Sequence, residues 1–138
     1  MKMRVHFISK SGQARDLAMA LSREFQCKSD SIPPAYPCDN ERLVFIGFEF
    51  GAEKGVSTFC KNLTAARANN VAFFATSSSG TKSFDSYAKI LEANHVHVVP
   101  ENFQLKMRSG LFGKGKVSAD DEKAIIEWAK KVMESLAE

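Results

Sequence analysis

Four short runs rich in β-branched and aromatic residues constrain this chain more than any other feature: 5–8 (VHFI), 43–48 (LVFIGF), 71–76 (VAFFAT) and 96–99 (VHVV). Each is apolar at consecutive positions, the pattern of a strand covered on both faces. Helical periodicity fills the intervals. Ala14, Leu17, Ala18, Leu21 and Phe25 share one face, as do Val56, Phe59, Cys60, Leu63 and Ala66. Phe84, Tyr87, Ala88 and Leu91 mark a third helix, and Ile125, Ala129, Val132, Met133 and Leu136 a fourth. Ser118 with Asp121 supplies a capping-box-like start for the last. Residues 28–32 are a weaker strand, followed by PPAYPCDNE, a degenerate crossover with at most one helical turn. Residues 102–108 alternate Phe103, Leu105 and Met107 against Gln104, Lys106 and Arg108, as a half-exposed strand does, and Gly110, Gly113 and Gly115 then mark a loop.

Strand and helix alternating in this way imply parallel strands joined by right-handed crossovers, with helices on both faces. The fold class is therefore α/β, a three-layer α/β/α sandwich. With 138 residues, 44% of them hydrophobic, one domain spanning 1–138 is expected to bury an adequate core without staples. Cys27, Cys38 and Cys60 form no C-x-x-C pair and are expected as reduced thiols, while His6, His95 and His97 show no zinc-ligand spacing, so no metal is expected. No apolar run approaches the roughly 20 residues of a membrane span, and the N-terminus lacks a signal-peptide core, which makes the cytoplasm the simplest location. A net charge of +3 is too weak to indicate nucleic acid without an aromatic-interleaved basic motif.

In an open α/β sheet a ligand sits beyond the carboxyl ends of the strands, where the strand order reverses. That rule selects three loops. The first, Ser9, Lys10, Ser11, Gly12, Gln13 and Ala14, runs directly into a helix. Two hydroxyls, backbone N–H groups around a glycine and the positive end of the helix dipole suit a phosphate, although Ser9 and Ser11 serve equally well as turn and N-cap residues. Neither the nucleoside-triphosphate loop nor the dinucleotide glycine fingerprint is present, which favours a mononucleotide. The second loop, Phe48, Glu49, Phe50 and Gly51 with Glu53 and Gly55 beyond, sets aromatic rings beside glycines; Phe48 can also simply continue the buried strand. The third, Thr76, Ser77, Ser78, Ser79 and Gly80, is small and polar, fitted either to the edge of a heterocycle or to opening a helix.

Taken together, SKSGQA, LVFIGFEFG and VAFFATSSSG resemble the phosphate loop and the two flavin loops of the flavodoxin-like family, and the tail from Asn102 resembles the last strand and helix of its short members. The resemblance covers essentially the whole chain. It implies a five-stranded parallel sheet of order 2-1-3-4-5. It further implies non-covalent FMN, with its phosphate on Ser9 to Ala14 and its ring between the loops at 48–55 and 76–81. Function would be electron transfer between a reductase and an acceptor protein. The Phe50-Gly51 peptide is the candidate partner for the reduced ring, and Glu49 and Glu53, if they face it, would lower its potential.

Three departures from the family's pattern stand out. Ala14 replaces the loop's last threonine, removing one hydroxyl contact of about 1 to 2 kcal/mol. No Trp or Tyr occupies either flavin loop, which leaves Phe50 with Phe84, and the lone Trp128 is expected to pack within the last helix. The basic balance departs from the acidity usual in the family and suggests a different partner surface, with Lys106, Arg108, Lys114 and Lys116 as candidates. Two alternatives remain open: a small flavin-dependent oxidoreductase of the same fold, and a non-flavin binding module with a degenerate phosphate loop. A phosphocarrier would need a cysteine at position 9, a receiver domain paired acids after the first strand, and a serine hydrolase a G-x-S-x-G elbow. None of these is present.

Overall fold

The computed structural model describes residues 1–34, 38–78, 80–106, 109–110, 113–114 and 116–136. Strand β1 (Met3–Phe7) leads into helix α1 (Gln13–Phe25), followed by β2 (Lys28–Ser31), β3 (Glu41–Glu49), α2 (Val56–Lys61), β4 (Ala68–Ser77) and α3 (Asp85–Ala93). Two short strands, β5 (His97–Val98) and β6 (Phe103–Lys106), come next. A small antiparallel pair, β7 (Ser109–Gly110) with β8 (Gly113–Lys114), precedes α4 (Ala119–Leu136). Ser79, Met107, Arg108, Gly115 and positions 35–37 of the crossover lie outside the described residues.

Every pairing in the main sheet is parallel, and the order is β2-β1-β3-β4 with β5 beside β4. β5 pairs with Asn70 and Val71 near the start of β4, whereas β6 pairs with Phe74 to Ser77 at its end. The fifth position of the 2-1-3-4-5 order is thus shared by two short strands. Pro100, which has no N–H to contribute to a ladder, lies in the gap between them.

β3 and β4, the central strands, are buried on both faces. On one face Ile46, Phe48 and Phe73 pack against Val56 and Cys60 of α2 and Tyr87 and Leu91 of α3. On the other, Phe45 and Phe74 meet Leu17 and Leu21 of α1 and Ile125 and Ala129 of α4. Trp128 packs within this second layer, its ring 5.6 Å from that of Phe45 and 5.7 Å from that of Phe103. His6 is a core histidine. Burial, reinforced by Arg4, pushes its pKa down to about 4, so the ring is neutral at physiological pH. α4 begins at a reciprocal cap, the Ser118 N–H donating to Asp121 Oδ2 at 2.9 Å and the Asp121 N–H to Ser118 Oγ at 3.1 Å. α2 ends at Lys61, earlier than its apolar face suggests. The Asn94 side-chain amide donates to the carbonyls of Cys60, Lys61 and Leu63 around this helix end.

One glycine in β3 is fixed by packing. Gly47 is the register partner of Phe74, and a Cβ at position 47 would lie 2.0 Å from Phe74 Cζ. The benzyl ring crosses directly over the strand, close to the site described below. Gly47→Ala should cost roughly 3 kcal/mol through overpacking. Combined with Phe74→Leu, which withdraws the ring, the cost should fall well below the sum of the two single changes in urea unfolding. Additive losses would show that the ring is not what excludes a side chain at position 47.

Candidate functional site

The strand register brings the loop after β1 to the end of β3. Phe7 is partnered with Gly47, so two residues further on Ser9 comes alongside Glu49. The alternation Leu43, Phe45, Gly47, Glu49 places Glu49 on the sheet face covered by α1. Its side chain is only 1% exposed. The carboxylate occupies the mouth of the loop. Oε1 accepts from the backbone N–H groups of Lys10 at 2.9 Å and Ser11 at 2.8 Å. Oε2 accepts from the hydroxyls of Ser9 at 2.6 Å and Ser11 at 2.7 Å and from the Ala14 N–H at 3.1 Å.

Gly12, at φ +94°, turns the chain so that these donors converge. A glycine has no side chain with which to cap α1, and the capping comes from elsewhere. Ser9 Oγ accepts from the N–H groups of Gly12 at 3.1 Å and Arg15 at 3.2 Å, and Ser11 Oγ from that of Gln13 at 3.1 Å. Gln13 and Ala14 are buried, whereas the Lys10 side chain is exposed and Arg15 lies 3.6 Å from Asp16. The arrangement is an anion site at a helix N-terminus, and the anion it holds is the chain's own.

The second and third loops are joined by a hydrogen bond from Phe50 N–H to the Thr76 carbonyl at 2.9 Å. Gly51, exposed at φ +95°, donates its N–H to Glu53 Oε2 at 3.1 Å, and the Tyr87 hydroxyl donates to Glu53 Oε1. Phe48 is wholly buried. Phe50 is half-buried, its ring 5.0 Å from that of Phe48 and 5.3 Å from that of Phe84. Phe84 is a core residue, which leaves Phe50 as the partly accessible ring of the pair. Ser77 Oγ donates to the Gly80 carbonyl at 2.8 Å, closing the third loop, and Ser78 is exposed. Thr76 is the register partner of Glu49, so the two side chains share a sheet face. Its hydroxyl is buried and has no hydrogen-bond partner among the described residues.

Sequence reasoning considers Glu49 as a neighbour of the ring, whereas the structure turns its carboxylate into the first loop. The signal for its actual place was the two-residue alternation of β3 combined with the position of the first loop above α1. Burial pulls the pKa of this carboxyl upward, but the hydrogen bonds from Ser9, Ser11 and Ala14 outweigh burial and hold it down at about 2. A folded-state pKa below the unfolded one contributes stability that is complete above about pH 4.5 and is lost as pH falls toward 2. The shift corresponds to about 3 kcal/mol. Glu49→Gln should therefore be less stable than the parent at pH 7 by about that amount, and the gap should close between pH 4.5 and 2 in urea unfolding. A gap that stays constant across that range would contradict the hydrogen-bonded carboxylate.

No protein-family model matches the chain, and no curated protein matches its sequence. Solved structures do match it. A flavodoxin from the domain Archaea superposes with a TM-score of 0.68 at 13% identity, covering 100% of both chains. Oxidised flavodoxin 2 from Bacillus cereus gives a TM-score of 0.66 at 13% identity, covering 98% of this chain and 99% of that one. Among the described residues no helix is long and apolar enough to cross a membrane. In architecture, strand order and extent, the chain has the flavodoxin-like fold.

Proposed function

We propose that this protein binds FMN non-covalently and transfers electrons between a reductase and an acceptor protein. The observation that carries the reading is the loop after β1, whose converging donors already hold an anion in the form of the Glu49 carboxylate. A donor set that satisfies a carboxylate is chemically suited to the oxygens of a phosphate monoester. The buried, unpartnered hydroxyl of Thr76 on the same sheet face adds a polar group. Bound FMN would supply one- and two-electron redox chemistry.

The chain's own residues would hold and tune it. Ser9, Lys10, Ser11, Gly12, Gln13 and Ala14 would take the phosphate. Phe50 and Gly51, with Thr76, Ser77, Ser78 and Gly80 of the third loop, would border the ring. Gly51 has open space around it, with no atom within 4 Å of a hypothetical Cβ, so its peptide can turn without a steric penalty. Glu53, fixed by Gly51 and Tyr87, sets a carboxylate beside that loop and opposes the accumulation of negative charge there. Lys106 and Lys116 are both exposed and would be available to an acidic partner. The three free thiols fit the reducing cytoplasm.

A second reading draws on the same carboxylate: a loop closed by its own Glu49 could belong to a binding module that uses no flavin. Titration with FMN, FAD and riboflavin, followed by fluorescence quenching and the visible spectrum, separates the two. FMN is expected to bind saturably and more tightly than riboflavin. The absence of saturable binding by all three would overturn the flavin reading in favour of the module.

A further inference from the structure

We propose that Glu49 is a built-in competitor for phosphate: its carboxylate fills the anion site after β1, and a phosphate monoester enters only by exchanging with it. The identity of that monoester as FMN rests on the function proposed above. The exchange itself does not, because inorganic phosphate can report it.

Hydrogen bonding comes first. The hydroxyls of Ser9 and Ser11 and the N–H groups of Lys10, Ser11 and Ala14 all donate to Glu49. The N–H groups of Gly12, Gln13 and Arg15 are directed at the two serine oxygens. With Glu49 in place, these hydroxyl and backbone donors are already engaged and are not free for a phosphate.

Charge makes the two anions mutually exclusive. The Lys10 side chain is exposed, and the exposed Arg15 guanidinium lies beside Asp16, so among the described residues these two solvent-screened cations of the loop do little to offset a carboxylate and a phosphate held together. Thr76 is a separate observation. Its hydroxyl, 0% exposed and without a partner among the described residues, lies across the register from Glu49. The two carboxylate oxygens leave that hydroxyl unused, whereas a phosphate brings a third free oxygen.

Exchange can leave the strand end in place. The Glu49 backbone is held by pairing with β4, by the Phe50 N–H to the Thr76 carbonyl, and by the Ala52 N–H to the Glu49 carbonyl. The strand end can therefore stay fixed while the carboxylate swings away. The loop's donors are then released to the incoming anion.

The test measures inorganic phosphate, FMN and riboflavin binding by calorimetry at pH 7 for the parent chain, Glu49→Ala and Glu49→Gln. Exchange predicts that removing the carboxylate tightens inorganic phosphate by about tenfold or more and leaves riboflavin unchanged, a tenfold change being about 1.4 kcal/mol. The preference for FMN over riboflavin should rise by a similar factor. If phosphate binds all three proteins equally, the competitor role is overturned, whatever FMN does. If the variants gain phosphate but no protein binds FMN, the competitor stands and the flavin reading falls. If neither variant folds in phosphate-free buffer, recovery of folding on adding phosphate supports the vacant anion site, and no recovery overturns it.

Discussion

The structure turns on one buried carboxylate. Glu49 stands at the end of β3, yet its hydrogen-bond partners belong to the loop after β1 and the first turn of α1. An ionised group removed from water is costly unless its hydrogen-bonding capacity is filled, and here both oxygens are filled. The benefit is reciprocal. α1 starts at a glycine that cannot cap it, so the helix receives its negative charge and an acceptor from a residue 35 positions away from Ala14. The place of α1 on the sheet, and with it one hydrophobic layer, is tied to the central strand through this contact as well as through Leu17 and Leu21.

A second glutamate performs the complementary task on the other side. Glu53 accepts from the Gly51 N–H and from the Tyr87 hydroxyl of α3, a helix of the opposite layer. The end of β3 and the loop beyond it are thus held by one carboxylate toward α1 and by another toward α3. Between them, Phe50 rests on Phe48 and Phe84, and its N–H bonds β4. The segment that would border a flavin is shaped by internal contacts. A ligand binding there would have to work with the two carboxylates or displace them.

Much of this architecture was legible in the sequence because it follows from local patterns. Consecutive apolar residues in 43–48 and 71–76 require cover on both faces, and that requirement alone points to central strands flanked by helices. Ser118 and Asp121 are three residues apart and form their cap without help from distant residues. Other features depend on contacts that a local pattern does not contain. α2 stops at Lys61, where Asn94, from the end of α3, donates to the carbonyls around its C-terminus. The last sheet position is divided because β5 and β6, on either side of Pro100, pair with different parts of β4. Glu49 belongs to the same class. Its side of the sheet could be read from alternation, but its partners are set by the Phe7–Gly47 register.

Ala14 and Glu49 have one physical interpretation when considered together. A threonine at position 14 would bring another hydroxyl to the loop, whereas alanine contributes only its N–H. The remaining donors divide as two to Oε1 and three to Oε2, which suits an anion with two oxygens. A tetrahedral anion offers three free oxygens and needs more donors to be equally well satisfied. With alanine at position 14 the donor count matches a two-oxygen anion, and the buried Glu49 supplies a carboxylate at no translational cost, so an external phosphate has to outcompete it. The preference of the loop between its own side chain and an external phosphate depends on both positions. A chain of this fold can thus join the strand order, the helix cap and the glycine turn to an anion of its own in the loop.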